Sequence, residues 1–306
     1  MQSDRLAGHL ASAGAYVIFG FNIIFCKDIA RSGAITPIVL FTLRAAGALV
    51  LFWMLSCFLP REKVAPSDMA RIALASFLGL FVPQLTFLAA VGMTTSIDTA
   101  MLTVMTPIYT MCFAFLFLGE PITGKKVGGV ALSLAGVVLL ILNSVHAPGG
   151  AEHTRPLGVV LMIVNGLSFG SYLGVFRPLI SRYRVVTFMK WMFLFSLLYS
   201  LPFSWSGIGR LDWNAMRAAT AWEILFVILL ATFVAYFLIP IGQKKLRPTL
   251  VSMYSYLQPM IAAGVSIAVG MDSLTWVKVV AAVCVFGGVG LVNRSRAASA
   301  SSDRSG

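Results

Sequence analysis

The chain has 306 residues, 58% of them hydrophobic and only 11% charged, and its mean hydropathy is +0.89. These values exclude an ordinary soluble domain and are typical of an integral membrane protein. The formal net charge of +12 does not require a nucleic-acid partner, because membrane proteins concentrate Lys and Arg in cytoplasmic segments.

Ten stretches are apolar and long enough to cross a bilayer, which takes about 20 residues in an α-helix. Their uninterrupted apolar runs differ from the alternating pattern of a membrane β-barrel. The sequence therefore predicts an all-α integral membrane protein with ten transmembrane helices. The predicted spans are 9–30, 34–59, 67–93, 96–118, 124–142, 157–180, 185–206, 220–242, 248–270 and 274–292.

Each of the first three spans carries a polar group near mid-depth. Asn22 lies in the first span, Arg44 in the second and Gln84 in the third. An ionisable side chain in the hydrocarbon region is costly, so Arg44 is a functional candidate by default. Two interpretations of Arg44 stay open: a partner for a substrate carboxylate, or a brace that donates hydrogen bonds to backbone carbonyls of a neighbouring helix.

The fourth span contains a proline and ends in charged residues. Pro107 lies near its middle, where proline removes a helical hydrogen bond and predicts a kink. Residues 119–125 match a phosphate-binding loop, but Lys126 replaces the Ser or Thr that would hold magnesium, and no strand precedes the loop. We therefore expect no nucleotide binding here.

Two further patterns suggest enzymes at first sight. His146, Glu152 and His153 share the connection that follows the fifth span, where a solvated surface is expected in place of a metal site. The stretch GLSFG at 166–170 has the pattern of a nucleophile elbow, but it lies inside a predicted helix and no histidine is available as its base. The sequence thus predicts no enzymatic activity, no cofactor and no metal.

The end of the fourth span recurs 152 positions later, at the end of the ninth. The stretch MTPIYTMCFAFLFLGEPITGKK at 105–126 corresponds without a gap to LQPMIAAGVSIAVGMDSLTWVK at 257–278. Each half thus carries five spans, and because five is an odd number, the second half enters the membrane from the opposite side. Two inverted five-helix repeats are the architecture of alternating-access transporters. The matched pairs are Pro107 with Pro259, Glu120 with Asp272, Thr123 with Thr275 and Lys126 with Lys278.

Polar groups near mid-span also pair between the halves, under an offset of 150 in the first two helices and 152 thereafter. This pairing predicts a shared cavity that is largely apolar and aromatic, which suits an amphipathic solute. The alternative for each group alone is a hydrogen bond that bridges two helices. The pairs are Asn22 with Tyr172, Gln84 with Tyr236, Thr103 with Ser255 and Thr106 with Gln258. The predicted substrate-binding residues are Phe19, Asn22, Arg44, Phe81, Gln84, Thr103, Thr106, Phe169, Tyr172, Tyr236, Ser255 and Gln258, with Pro107 and Pro259 as hinges or gates. Asn165, Ser168, Phe87, Met101 and Met253 are expected around them.

Basic residues predict the orientation of the chain. With the N-terminus in the cytoplasm, 16 of the 23 Lys and Arg residues lie inside, six lie outside, and Arg44 lies within a span. The positive-inside rule therefore predicts that both termini are cytoplasmic. The expected organisation is a cytoplasmic N-terminus at 1–8, a first repeat at 9–142, an extracytoplasmic connection at 143–156, a second repeat at 157–293 and a disordered cytoplasmic tail at 294–306.

Acidic residues avoid the middle of the predicted spans. All eleven Asp and Glu lie at helix ends or in loops except Asp98, which follows Thr95 at the spacing of a helix cap. Nothing resembles the mid-membrane carboxylate of a proton or cation antiporter. This pattern argues against cationic drugs as substrates and favours uniport, or a coupling that the sequence does not display.

The ten spans, the five-plus-five repeat and the GEPITG ending of the fourth span resemble the drug/metabolite transporter superfamily, in its EamA-type branch, over about residues 9–293. The sequence departs from the family at Phe19, where Trp is common, and at Asp272, where Glu is expected. The matching positions are Gly20–Asn22, Arg44, Pro107, Gly119–Glu120 and the glycines of the fifth helix.

Within that branch the chain is most similar to the bacterial aromatic amino-acid exporters. The resemblance implies a monomeric, multi-pass inner-membrane protein, in contact with membrane lipid, that exports aromatic and other neutral amino acids without ATP hydrolysis. The alternative is an exporter or antiporter of another small metabolite, such as a nucleotide sugar, a phosphometabolite or a drug. A phosphometabolite carrier would need several basic residues facing the cavity, whereas Arg44 alone lies deep within a span.

Overall fold

The computed structural model describes residues 2–94, 99, 102–144, 155–211, 216–268 and 276–295. Throughout this part of the chain the regular elements are helices that fall on the ten predicted spans, which confirms the predicted fold class. The helices are α1 Gln2–Ser32, α2 Pro37–Cys57, α3 Pro66–Val91, α4 Thr106–Leu118, α5 Gly124–Ser144, α6 Pro156–Val175, α7 Val185–Ile208, α8 Ala218–Lys245, α9 at 248–268 and α10 Trp276–Asn293. A short helix, Arg177–Arg182, follows α6.

By length and composition, six helices within the described residues can cross a membrane: α1, α2, α3, α6, α7 and α8. Large apolar side chains remain exposed around the bundle, among them Phe117, Trp205 and Trp222. A soluble surface rarely exposes such residues in number, whereas a surface in contact with lipid does. Inside the bundle, Phe52 of α2 stacks on Phe193 of α7, with ring centroids 5.5 Å apart.

Proline opens several of these helices, because its fixed φ suits the first turn and its missing N–H would lack a helical partner there. Pro37, Pro66, Pro156 and Pro248 hold such positions in α2, α3, α6 and α9. Gly119 ends α4 in the left-handed conformation, with φ of 63°, which glycine adopts without strain. These start and stop signals explain why the helices begin and end close to the predicted bounds.

The two repeated prolines stand partway along their spans, next to interruptions of the α-helical pattern, and their role as hinges or gates stays a prediction. Pro107 stands in the first turn of α4, which begins at Thr106 after a turn. In α9 a 3-10 turn, Tyr254–Tyr256, stands just before the segment that contains Pro259. Because proline has no N–H, it cannot donate a hydrogen bond to the carbonyl four residues earlier, and the α-helical pattern is interrupted in the turn before each proline. The interruptions lie at equivalent positions of the two halves.

A second irregularity is also repeated. The π-helical segment Phe77–Phe81 lies within α3, and the π-helical segment Leu229–Val234 lies within α8. Their first residues are 152 positions apart, the same offset that relates the two prolines. Single π-helical turns are rare and are frequent at functional sites. The duplication therefore extends to local backbone geometry.

Helices α5 and α10 pack through a contact that is repeated when the halves are exchanged. A Cβ added at Gly136 would lie 3.3 Å from Val285 N, and one added at Gly288, the counterpart of Gly136, would lie 2.9 Å from Ser133 N. Ser133 and Val285 are themselves counterparts, and the Ser133 hydroxyl donates to the Val285 carbonyl at 3.1 Å. Such reciprocity is what a pseudo-twofold axis between inverted repeats produces.

The first helix of each half packs against the fourth helix of the other half in the same reciprocal way. A Cβ added at Gly20 in α1 would lie 2.8 Å from Ile261 Cβ in α9. A Cβ added at Gly170 in α6 would lie 2.8 Å from Tyr109 Cβ in α4. Small residues let membrane helices approach closely where no hydrophobic drive favours association. The two halves are thus interleaved, and their interface lies at the centre of the bundle.

We expect Gly288→Ala to lower the melting temperature of the detergent-solubilised protein. The new methyl group would overlap the Gly129 carbonyl and the Ser133 side chain, and overpacking of this kind costs about 1–3 kcal/mol, or more where backbone must move. Gly290→Ala is the matched control on the same helix, because nothing lies within 4 Å of a Cβ at that position. Equal melting temperatures for the two variants would contradict the proposed close contact.

Candidate functional site

A cavity of about 80 Å³ lies at the interface between the two halves. Its wall is contributed by α1, α2, α3 and α4 of the first half and by α6, α8 and α9 of the second. That volume has room for several water molecules. The lining residues are Tyr16, Phe19, Asn22, Ile23, Arg44, Pro83, Gln84, Phe87, Thr103, Thr106, Asn165, Phe169, Tyr236, Ser255 and Gln258.

Ten of the twelve predicted substrate-binding residues line this cavity. Phe81 and Tyr172 do not: the Phe81 ring packs on Phe41 at 5.7 Å, and the Tyr172 ring covers Gly79, where an added Cβ would lie 2.5 Å from it. The ten are Phe19, Asn22, Arg44, Gln84, Thr103, Thr106, Phe169, Tyr236, Ser255 and Gln258. Their role in binding stays a prediction.

Among the residues expected nearby, Phe87 and Asn165 line the cavity, Met253 does not, and Met101 lies outside the described residues. The sequence analysis missed Tyr16, Ile23 and Pro83. Tyr16 and Ile23 lie on the same face of α1 as Phe19, at the helical spacings of three and four residues. That periodicity was the available signal for both.

Arg44 is the only charged residue among the described residues that line the cavity, and its side chain is 2% exposed. Its Nε donates to the Thr232 hydroxyl at 2.8 Å, and that hydroxyl donates to the Val227 carbonyl at 2.7 Å. Thr232 belongs to the π-helical segment of α8. In the described part of the chain, Arg44 makes no ion pair with a carboxylate and no further hydrogen bond. The two terminal nitrogens of the guanidinium are therefore available to a ligand.

Several buried polar atoms of the lining also have no hydrogen-bond partner within the described residues. They are both amide atoms of Gln84, the Tyr16 hydroxyl and the Ser255 hydroxyl. A buried polar group left unpaired costs about 1–3 kcal/mol, so native proteins provide such groups with water or a ligand. In contrast, Asn165 Nδ2 donates to the Pro83 carbonyl at 2.6 Å. The cavity thus offers one cation and a small set of neutral polar groups.

Aromatic rings form the apolar part of the wall. Phe19 meets Tyr16 and Tyr236 edge to face, with ring centroids 5.7 and 5.5 Å apart. Phe169 from the second half stacks on Tyr172, which lies behind it, at 5.9 Å. Rings in such arrangements present both faces and edges to a planar apolar group. The wall therefore places aromatic surface next to a charged anchor.

A second pocket, of about 280 Å³, follows the same pair of helices toward the predicted extracytoplasmic side. Asn22 and Ile23 of α1 line the central cavity, and the next turns of that helix line the second pocket. The same succession holds along α3, which contributes to both. The charged residues in this lining are all basic as far as the structure describes it. The lining residues are Lys27, Ala30, Arg31, Val91, Gly92, Met93, Thr94 and Arg155.

At the opposite, predicted cytoplasmic end, a buried ion pair joins the loop after α4 to the start of α5. Lys126 Nζ lies 2.7 Å from Glu120 Oε1 and donates to the Pro121 carbonyl at 2.8 Å. The Thr249 hydroxyl of α9 donates to the other carboxylate oxygen at 3.5 Å. Burial lowers the pKa of Arg177, and the Glu120 carboxylate opposes that shift. The Glu120 carboxylate therefore connects the loop after α4 with the start of α5 and with α9.

The enzyme-like patterns have structural roles or fall outside the described residues. Lys126, which breaks the phosphate-loop match, is held by Glu120. In the GLSFG stretch the Ser168 hydroxyl donates to the Leu78 carbonyl of α3 at 2.8 Å, and Gly170 allows the close approach of α4. The loop residues His146, Glu152 and His153, the cap candidates Thr95 and Asp98, and the repeated Asp272 and Thr275 lie outside the described residues.

Comparisons with known proteins agree with this architecture. A model of the EamA-like transporter family matches residues 6–142 and 156–294. The uncharacterized transporter YetK of Bacillus subtilis is 24% identical over 290 residues, which cover 93% of this chain and 84% of YetK. An uncharacterized transporter of Archaeoglobus fulgidus is 23% identical over 257 residues, 83% of this chain and 86% of that protein. A protein of known crystal structure has the same fold, with a TM-score of 0.73, 15% identity, and coverage of 95% of this chain and 96% of that chain.

Proposed function

The chain belongs to the EamA-like transporter family, and from this premise we propose that it exports aromatic and other neutral amino acids across the bacterial inner membrane. Transport proceeds by alternating access through the central cavity, without ATP hydrolysis, and a single copy of the chain suffices. One observation carries the proposal. A buried guanidinium with two available nitrogens and an aromatic wall share one cavity between the repeats.

The carboxylate of the amino acid is expected to bind Arg44. Hydrogen bonds between ionised partners are roughly twice as strong as neutral ones, and guanidinium binds carboxylate with two parallel bonds. The bond from Nε to Thr232 holds the guanidinium in place, so the Arg44 side chain loses little conformational entropy when the ligand binds. The observed partner of Nε is the Thr232 hydroxyl, and not a backbone carbonyl as the brace interpretation expected. This bond uses one guanidinium nitrogen, so it is compatible with a ligand on the other two.

The side chain and the ammonium are assigned to the remaining lining groups. The side chain packs between Phe19 and Phe169, one from each half. The ammonium donates to neutral acceptors, of which the Gln84 carbonyl and the Ser255 hydroxyl lack partners among the described residues. Each polar group that leaves water must find such a partner to bind without a net penalty.

The proposed orientation places both termini, and the start of α5 at Gly124, in the cytoplasm. We expect cysteine at position 124 to react with an impermeant thiol reagent only from the cytoplasmic side, and cysteine at position 210 only from outside. Gly124→Cys is suited to this test because nothing lies within 4 Å of a Cβ there. The four native cysteines would first be replaced by alanine. Labelling of position 124 from outside would reverse the assigned topology.

The proposed activity predicts downhill movement of phenylalanine in sealed proteoliposomes without ATP and without a pH gradient. The reason is that no acidic residue among the described residues lines the central cavity, so a proton carrier is not in evidence there. Uptake of labelled phenylalanine would be measured against protein-free liposomes. Flux that disappears when the pH gradient is removed would show that transport is proton-coupled, against this prediction.

A phosphorylated or otherwise anionic metabolite is the second candidate substrate class. It is favoured by the outer pocket, where Lys27, Arg31 and Arg155 lie together. The central cavity disfavours a dianion, because Arg44 is the one cation among its described lining residues. Competition of a nucleotide sugar against phenylalanine in the same liposomes would distinguish the two classes.

A further inference from the structure

We propose that the central cavity is built for amphipathic monoanions, in which a carboxylate is joined to an aromatic or apolar body, and that an amino group is not required. The inference deepens the proposed function and rests on it for the transport step. It assigns the carboxylate as the group that governs binding. The ligand class then includes aromatic monocarboxylates that lack the ammonium of an amino acid.

The charge balance of the cavity carries this inference. Arg44 is fully buried and has no carboxylate partner among the described residues. A buried charge without a counter-ion is strongly unfavourable, so an anion that binds beside Arg44 relieves that cost. A monocarboxylate brings the net charge of the lining to zero, whereas a zwitterion leaves it at one positive charge. The charge of the lining therefore favours the monoanion.

The groups left for an ammonium are weaker partners. Gln84 and Ser255 are neutral, and the Asn22 carbonyl oxygen already accepts from the Cys26 thiol at 3.4 Å. The interaction free energy of an ammonium with neutral acceptors is less favourable than its interaction free energy with a carboxylate. The ammonium of a zwitterion is thus tolerated by this cavity and contributes less to binding than the carboxylate does.

The second pocket, toward the predicted extracytoplasmic side, is lined by charged residues of the same sign as Arg44. The pocket that continues along α1 and α3 contains Lys27, Arg31 and Arg155, and no acidic residue belongs to its described lining. Basic residues that line a cleft with low-dielectric walls raise the local concentration of anions and repel cations. The described lining of both pockets is thus basic where it is charged, and the preference for a monoanion rests on Arg44 in the central cavity.

Three probes with the same phenyl-ethyl body separate the two charges: phenylalanine carries both, 3-phenylpropanoate carries only the carboxylate, and phenethylamine carries only the ammonium. Each would compete with labelled phenylalanine in proteoliposomes. We expect 3-phenylpropanoate to compete at least as well as unlabelled phenylalanine. Phenethylamine should be weaker by roughly tenfold or more, since it forfeits a charge-assisted bond.

Thermal stabilisation of the purified protein by the same probes provides a readout that does not depend on transport. We expect 3-phenylpropanoate to raise the melting temperature of the wild type and of Arg71→Gln, which changes an exposed arginine far from the cavity. It should fail to stabilise Arg44→Gln. Thr232→Val keeps the guanidinium but removes its hydroxyl partner, so an intermediate response is expected there even if Arg44→Gln does not fold.

The outcomes separate the two proposals. If phenylalanine is not transported but 3-phenylpropanoate stabilises the wild type and not Arg44→Gln, the proposed amino-acid export is wrong and the assignment of the ligand class stands. If phenylalanine is transported but phenethylamine competes as well as 3-phenylpropanoate does, the export stands and this inference is overturned. Absence of stabilisation by 3-phenylpropanoate in the wild type would also overturn it.

Discussion

Replacement of Lys126 by methionine is expected to destabilise the protein by about 3–5 kcal/mol, because it leaves the buried Glu120 carboxylate without its cation. The Lys126 side chain is 1% exposed and that of Glu120 is 9% exposed, so water cannot take over the role of the lysine without rearrangement. The methionine also removes the donor to the Pro121 carbonyl. The measurement is the melting temperature in detergent, together with the yield of folded protein.

Lys125→Met is the matched control, because Lys125 is adjacent in sequence but exposed. The double variant Glu120→Gln with Lys126→Met should recover much of the lost stability, since it removes the unpaired charge. Together with the two single variants it forms a double-mutant cycle, which measures the interaction energy between Glu120 and Lys126. If Lys126→Met and the Lys125→Met control have the same melting temperature, the ion pair contributes little to stability.

Arg44→Gln is expected to raise the KM for phenylalanine roughly 10- to 150-fold, which corresponds to the loss of one charge-assisted hydrogen bond of about 1.5–3 kcal/mol. Glutamine keeps a polar side chain, but it is shorter than arginine and carries no charge. Arg44→Lys should lose less, because the lysine retains the cation although it cannot form two parallel bonds to a carboxylate. Arg71→Gln, which changes an exposed arginine, is the control for removal of a positive charge.

The melting temperature of the same Arg44 preparations distinguishes a ligand from a brace. The bond to Thr232 makes some loss of stability expected in both variants. A purely structural role would lower the melting temperature and leave the KM of the surviving protein unchanged. An unchanged KM in Arg44→Gln would therefore remove this residue from the substrate site.

The overall fold could be predicted from sequence because two independent patterns agree. Apolar length gives the number of spans, and the 152-residue offset gives their grouping into halves. The interruptions at Pro107 and Pro259 were harder to predict, since proline in a membrane helix is compatible with either a kink or a break. The π-helical segments Phe77–Phe81 and Leu229–Val234 had no recognisable composition, because one extra residue in a turn depends on tertiary packing.

The site was largely predictable because polar groups are costly in lipid and so collect around a cavity. Of the two residues wrongly assigned to the cavity, Phe81 packs on Phe41, and Tyr172 shows where the repeat offset fails to transfer a role from one half to the other. Asn22 lines the cavity, but its counterpart Tyr172 does not, because its ring occupies the space left free by the missing side chain of Gly79. The position that corresponds to Gly79 in the second half is Ala231. An offset finds equivalent positions, but side-chain volumes decide which residue reaches the cavity.

The contact between α5 and α10 has a consequence for the moving parts of a transporter. Gly136 with Val285 and Gly288 with Ser133 are the same contact related by the pseudo-twofold axis. In the proposed alternating-access cycle the two halves exchange conformations, and a contact that maps onto itself under that exchange would keep its geometry. We therefore expect α5 and α10 to stay fixed relative to each other in the proposed cycle, while the helices around the central cavity change position.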